Sequence, residues 1–95
     1  MNLNTIKKKA IPVLKQYGIQ KAAVFGSYAR NEQNEKSDID ILIEYSPGTK
    51  KSLFLRLKLK NDLEEVLETS VDVVTAKALS PFIKDNILKE KRDIL

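Results

Sequence analysis

Ala22-Ala23-Val24-Phe25-Gly26-Ser27-Tyr28-Ala29-Arg30 runs from an apolar segment into a glycine and a hydroxyl, and twelve positions after the glycine comes Asp38-Ile39-Asp40-Ile41-Leu42-Ile43. The first run is short, largely apolar and closed by Gly26, which predicts a strand over 20–25. Residues 27–31 read as one helical turn. Residues 32–37 are polar throughout and predict an exposed loop. In the second run Ile39, Ile41, Ile43 and Tyr45 alternate with Asp38, Asp40, Leu42 and Glu44. That is a strand with two faces, and the first two positions on one face are both acids. For Gly26 and Asp38 to share a site, the two strands must run antiparallel.

Working outward, residues 69–75 are valine-rich and predict a third strand. The stretch 51–68 is ambiguous. Leu53, Leu55, Leu57 and Leu59 alternate as in a strand, whereas Leu59, Leu63, Val66 and Leu67 follow helical spacing. Leu, Lys, Arg and Glu are good helix formers and the run is too long for one strand, so a helix is expected throughout. A helix between strands two and three suits a right-handed parallel crossover. Asp72 then arrives at the same sheet end as Asp38 and Asp40, and on their face if the register sets it beside Asp40.

At the start of the chain Ile6, Ala10, Val13, Leu14 and Tyr17 predict a helix over about residues 4–17. Asn4 would cap it and Gly18 would end it in a left-handed conformation. Pro12 removes a hydrogen bond inside it, so a kink or split is expected near Ala10. Ser80-Pro81 opens a last helix, with proline at its first position. Phe82, Ile83, Ile87, Leu88 and Ile94 are expected to give it an apolar side. The expected fold class is α/β (α+β), a mixed three-stranded sheet with flanking helices, in one domain over 1–95.

Composition narrows the chemistry. The chain has 95 residues, a net charge of +4, no cysteine and no histidine. Disulfides and thiolate metal sites are excluded, and a reducing cytoplasm is allowed. Without imidazole, any metal must sit on oxygen ligands, which favours Mg²⁺ or Mn²⁺. Lys7-Lys8-Lys9 has no long apolar segment behind it, so neither a signal peptide nor a membrane span is expected. The modest positive charge fits ATP, RNA or an acidic protein, and fits a plain basic surface better than any one of them.

Asp38 and Asp40, two apart on a strand, leave the same face and repel each other. A divalent cation removes that cost and bridges to phosphate oxygens. The plain alternative is two hydrated aspartates at a strand start. Asp72, between Val71 and Val73, sits in a segment otherwise built for burial, where a lone acid is costly unless paired or metal-bound. Its plain alternative is a sheet edge or a lysine partner. Three acids converging at one sheet end could hold two metal ions, as in-line phosphoryl or nucleotidyl transfer requires. Gly26 allows backbone to approach a ligand. Ser27 offers a hydroxyl and an amide where a helix dipole favours anions. Arg30 can neutralise phosphate. A β-turn with a capping serine and a solvated arginine is the alternative there.

Gly26-Ser27-Tyr28-Ala29-Arg30, Ser37-Asp38-Ile39-Asp40-Ile41-Leu42 and Val71-Asp72-Val73-Val74 together resemble the DNA polymerase β-like nucleotidyltransferases. The match is nearest to the minimal nucleotidyltransferases that act as antitoxins to HEPN-domain toxins. It covers essentially the whole chain. The resemblance implies that Asp38, Asp40 and Asp72 hold two Mg²⁺ ions and are catalytic, and that Gly26 and Ser27 grip the triphosphate of ATP. Arg30 matches the motif arginine. It further implies AMP transfer to a toxin tyrosine in a complex with that toxin, with no direct nucleic-acid binding. The family's glycine after the arginine is replaced by Asn31, which tolerates a left-handed conformation. A toxin-neutralising binding module without chemistry, or an aminoglycoside-type nucleotidyltransferase, are the alternative readings.

Overall fold

The computed structural model describes every residue, Met1–Leu95. In chain order the elements are α1 (Leu3–Gln16), β1 (Ile19–Phe25), β2 (Ile39–Tyr45), α2 (Leu53–Leu67), β3 (Val71–Thr75), α3 (Pro81–Glu90) and β4 (Arg92–Asp93), with short 3₁₀ turns at Gly26–Tyr28 and Ala76–Ala78. The strands form one sheet in the order β3-β2-β1-β4. β2 pairs antiparallel with β1 and parallel with β3, as the crossover helix requires.

Ile39, Ile41 and Ile43 on β2 are almost fully buried, and so are Val24, Val71, Leu59, Leu63 and Leu67. They share one core with Ile6, Ala10, Val13 and Leu14 of α1. Both long helices therefore cover the isoleucine face of the sheet. The opposite pleat of β2 carries Asp40, Leu42 and Glu44, and no α1 or α2 core residue packs there. The acids thus point away from the core.

The leucines of α2 settle its ambiguity. Leu59, Leu63 and Leu67, four apart, are buried, whereas Leu53 and Leu57 are more than half exposed. A strand would have buried the odd-numbered set together. Ser52 caps the helix, its Oγ accepting from the Leu55 N–H at 3.0 Å. The Tyr17 hydroxyl donates to Asp62 and ties the end of α1 to α2.

Several sequence expectations are corrected. α1 is not split: it runs unbroken through Pro12. Pro12 and Lys8 are exposed, so the carbonyl that loses its partner can turn to water. The cap is Asn2, not Asn4; its Oδ1 accepts from the Thr5 N–H at 2.9 Å. Gly18 does end the helical segment, at φ 75°. The sheet has four strands rather than three, because the chain leaves α3 extended and pairs with β1. Ile94 therefore reaches the core from this edge and not from α3, its N–H donating to Ala22 O at 2.9 Å. Of the other side chains expected on the inner side of α3, only Ile87 is buried; Phe82, Ile83 and Leu88 are exposed. No helix is long and apolar enough to cross a membrane.

Candidate active site

β1 ends at Phe25 and the chain turns at once. Gly26 has φ 75°, a left-handed conformation that glycine adopts without steric cost. Space is the stronger constraint. A Cβ on Gly26 would overlap Asp40 Oδ2 and lie 3.2 Å from Asp40 Cγ. Backbone and carboxylate are therefore packed directly together. The Gly26 carbonyl accepts from the Ala29 and Arg30 N–H groups at 3.1 and 3.2 Å, which closes the turn. Asn31 takes the left-handed conformation expected of it, at φ 58°. The turn is only three residues long, so its dipole is small. The Gly26 amide and the Arg30 guanidinium are the anion-facing groups more than any helix end.

The register brings the acids to this turn. Phe25 pairs with Asp40, and Asp40 pairs with Asp72 across the parallel β2–β3 ladder. Asp38 directly precedes β2. Asp38 and Asp72 are exposed and Asp40 is half-buried. Burial pushes the Asp40 carboxyl above its ordinary range; Asp72 and Asp38 push it the same way, and Arg30 opposes them. Asp38 and Asp72 are thus both close enough to Asp40 to act on its charge.

No three acidic side chains close around a single point here. The donor set is oxygen only, which is the chemistry a hard cation takes. Asp38 and Asp72, on exposed positions, have room to turn toward a shared ion.

Arg30 is already engaged. Its Nη1 donates to both oxygens of Glu90 at 3.2 and 3.0 Å, and its Nε to Glu32 at 3.3 Å. Both partners, Glu90 first, hold the guanidinium more firmly protonated. Glu90 Oε1 also accepts the Gly26 N–H at 3.2 Å. Sequence reading missed Glu90. One signal was available: a carboxylate in the last turn of a helix opposes the macrodipole, so an acid at that position asks for a cation or a donor elsewhere. Ser27, in the middle of the three-residue turn, is half-buried.

The Asp40 shift fixes the sign of a pH effect. Its folded pKa lies above the unfolded value, so the native state binds the proton more tightly. Stability is therefore lost as pH rises from the ordinary carboxylate range through the raised folded value, and the penalty persists at neutral pH. In EDTA, Asp40→Asn is expected to raise stability at pH 7 by roughly 1 kcal/mol, or ~5 °C in Tm. The gain should fade below the ordinary aspartate pKa. Thermal unfolding of both proteins across acid pH measures it, and a destabilised variant at pH 7 would contradict the repulsion.

Further along the same open face a cleft of about 790 Å³ is floored by Ala23 and Leu42 and bordered by Lys21, Tyr45, Lys51 and Lys77. Leu42 is the next residue after Asp40 on that face. Asp38, Asp40 and Asp72 do not line this cleft themselves.

Residues 7–94 match the family model described as the nucleotidyltransferase domain. The chain belongs to this nucleotidyltransferase family. It is 54% identical over 95 residues, the full length of both chains, to a Methanocaldococcus jannaschii protein that carries the provisional name protein adenylyltransferase. It is 36% identical over 75 residues to the protein adenylyltransferase MntA of Thermococcus cleftensis, covering 79% of this chain and 74% of that one. Among solved structures it is similar to a protein provisionally named a minimal nucleotidyltransferase, with a TM-score of 0.80 and 32% identity over 97% of this chain and 95% of the other. The fold is also that of the chain matched in a tri-AMPylated Shewanella oneidensis HEPN toxin in complex with its MNT antitoxin, at a TM-score of 0.73 and 21% identity over 97% of this chain and 71% of the other. In this chain the core is a mixed sheet with Asp40 on the face opposite α1 and α2.

Proposed function

We propose that this nucleotidyltransferase moves AMP from ATP onto a tyrosine hydroxyl of a HEPN-domain toxin, with Mg²⁺, and so acts as the antitoxin of the pair. The observation that carries this is the register: Phe25 opposite Asp40 and Asp40 opposite Asp72, with Gly26 packed on the Asp40 carboxylate. The names of the Methanocaldococcus and Thermococcus relatives, and the AMPylated toxin bound to an MNT antitoxin, support the choice of nucleotide and partner.

Asp38, Asp40 and Asp72 would hold the metal, as two Mg²⁺ ions or Mn²⁺ in their place. The bound metal supplies charge neutralisation to the phosphate oxygens and lowers the pKa of the attacking hydroxyl. Gly26, Ser27 and Arg30 bind the triphosphate and hold the β- and γ-phosphates as the leaving group. The acceptor oxygen bonds to the α-phosphorus, the bond to pyrophosphate breaks, and the hydroxyl proton passes to a carboxylate. Asp72, exposed on the strand at the sheet edge, is an acid open to an incoming acceptor. Without histidine a carboxylate is the available base. Most of the rate comes from positioning and electrostatics.

The test follows the atoms. Label in the α-phosphate of ATP is expected to appear on the toxin, and label in the γ-phosphate is not. EDTA should stop it. Transfer of γ-label, or none of either, would overturn the reading. A second reading, neutralisation by binding alone, draws on the exposed Leu53, Phe54 and Phe82, which give a partner apolar surface without any chemistry.

A further inference from the structure

Glu90 stands where a phosphate would be expected. The donors that face the acids at the end of β1 are the Gly26 amide and the Arg30 guanidinium. Both are taken by one carboxylate, through three hydrogen bonds of 3.0–3.2 Å. The Glu90 side chain is only about a quarter exposed (26%), and its bond to the Gly26 amide is partly buried, while Arg30 is 44% exposed. It is also an acid placed in a cluster that already holds Asp38, Asp40 and Asp72. Its charge adds to the repulsion at Asp40 instead of relieving it. A carboxylate in such a place needs a reason, because like charges brought together cost stability.

We propose that Glu90 is an internal anion that occupies the phosphate seat in the free protein, and that nucleotide binding requires its displacement. This rests on the reading that Gly26 and Arg30 face the triphosphate. A triphosphate and Glu90 cannot use the same two donors, and two anions at that distance repel. Bound nucleotide therefore competes with the side chain, and its apparent affinity is reduced by the fraction of molecules in which the seat is filled. Filling the seat also keeps Gly26 and Arg30 satisfied and in place while no ligand is present, so the residue is a positioning residue rather than a catalytic one.

The element that carries Glu90 suits displacement. It is the last residue of α3, whose one buried side chain is Ile87. Phe82, at the other end, is 91% exposed. After Glu90 the chain is held by the β4 pairing with β1, by hydrogen bonds of Ile94 and Leu95 to Ala22 and by Ile94 in the core, so displacement is a swing of the Glu90 side chain about its own bonds. Moving the carboxylate out therefore disturbs few packed atoms. The isoleucine core under α1 and α2 stays as it is.

Inorganic tripolyphosphate tests the seat without any requirement for adenine, metal or transfer. Titrated by calorimetry in EDTA, Glu90→Gln is expected to bind it about tenfold more tightly than the unaltered chain. Glu90→Ala should show the same direction, which guards against glutamine simply reoccupying the seat. In the NMR spectrum of the unaltered protein the Gly26 amide should shift on titration toward a new position. In Glu90→Ala it should start displaced from the unaltered value. Equal or weaker binding by both variants would overturn the proposal, as would a Gly26 amide that does not respond to the anion. Tighter binding by the variants with no AMP transfer by the unaltered chain would uphold the seat and reject the adenylyltransferase reading, so the two fail separately.

Discussion

A chain carrying both Asp38→Asn and Asp40→Asn is expected to transfer AMP at least ~10³-fold more slowly than the unaltered protein, a loss of the size seen when a single electrostatic contact to a transition state is removed. Two carboxylates leave here, and with them most of the negative charge that could hold a divalent cation. The same variant is expected to be no less stable in EDTA. Asparagine keeps the size of the side chains, and the burial cost and the repulsion that together hold the Asp40 carboxyl above its ordinary range disappear. The joint outcome is informative. A folding defect lowers activity and Tm together, whereas removal of a built-in metal site lowers activity and leaves Tm level or higher. Initial rates of α-label transfer, with Tm measured on the same samples, give both readings. A variant that retains transfer within tenfold would mean that Asp38 and Asp40 are hydrated strand-start residues and nothing more.

Gly26→Ala is expected to have the second largest effect, through two separable causes. A non-glycine residue in a left-handed conformation costs about 1–2 kcal/mol. Crowding against Asp40 adds to that, because the new methyl overlaps Oδ2 and the neighbour is a strand residue paired on both sides. A total of roughly 2–3 kcal/mol is expected, or ~10–20 °C in Tm for a domain of this size. Gly48 supplies the control. It has a similar φ of 82° but nothing within 4 Å of an added Cβ. Gly48→Ala should therefore pay the backbone cost alone, on the order of 1 kcal/mol, and keep full transfer activity. Thermal unfolding of the two variants side by side separates strain from crowding. Equal losses in both would show that Gly26 is needed only for its backbone angle, and that its contact with Asp40 is incidental.

Much of this was legible from residue order because the signals were periodic and local. The alternation in 39–45 identified a two-faced strand, and the structure buries Ile39, Ile41 and Ile43 while leaving Asp40 and Glu44 off the core. The crossover rule fixed the direction of β3, and with it the approach of Asp72 to Asp40. The leucines of 51–68 needed propensity as well as period, and the four-residue spacing of Leu59, Leu63 and Leu67 is the one that is buried. What escaped was set by long-range contact. β4 is two residues long, too short for any pattern, and exists because β1 offered a free edge. Ile94 looked like the end of the α3 stripe, since its apolar character says nothing of the element that will deliver it. Glu90 lies 64 residues from the Gly26 amide that it accepts from, and no spacing rule spans that distance. The helices' exposed Phe54 and Phe82 are a further case: periodicity assigns a side of a helix and does not say whether anything covers it.

The most direct measurement is the intact mass of the proposed partner, a HEPN-domain toxin, after co-expression, once with the unaltered chain and once with a chain in which Asp38, Asp40 and Asp72 are all asparagine. Whole increments of AMP on the toxin with the first, none with the second, and growth protection only with the first is the expected result. An unmodified toxin that is neutralised equally by both would contradict the central claim, and would make the chain a binding partner whose three acids do no chemistry.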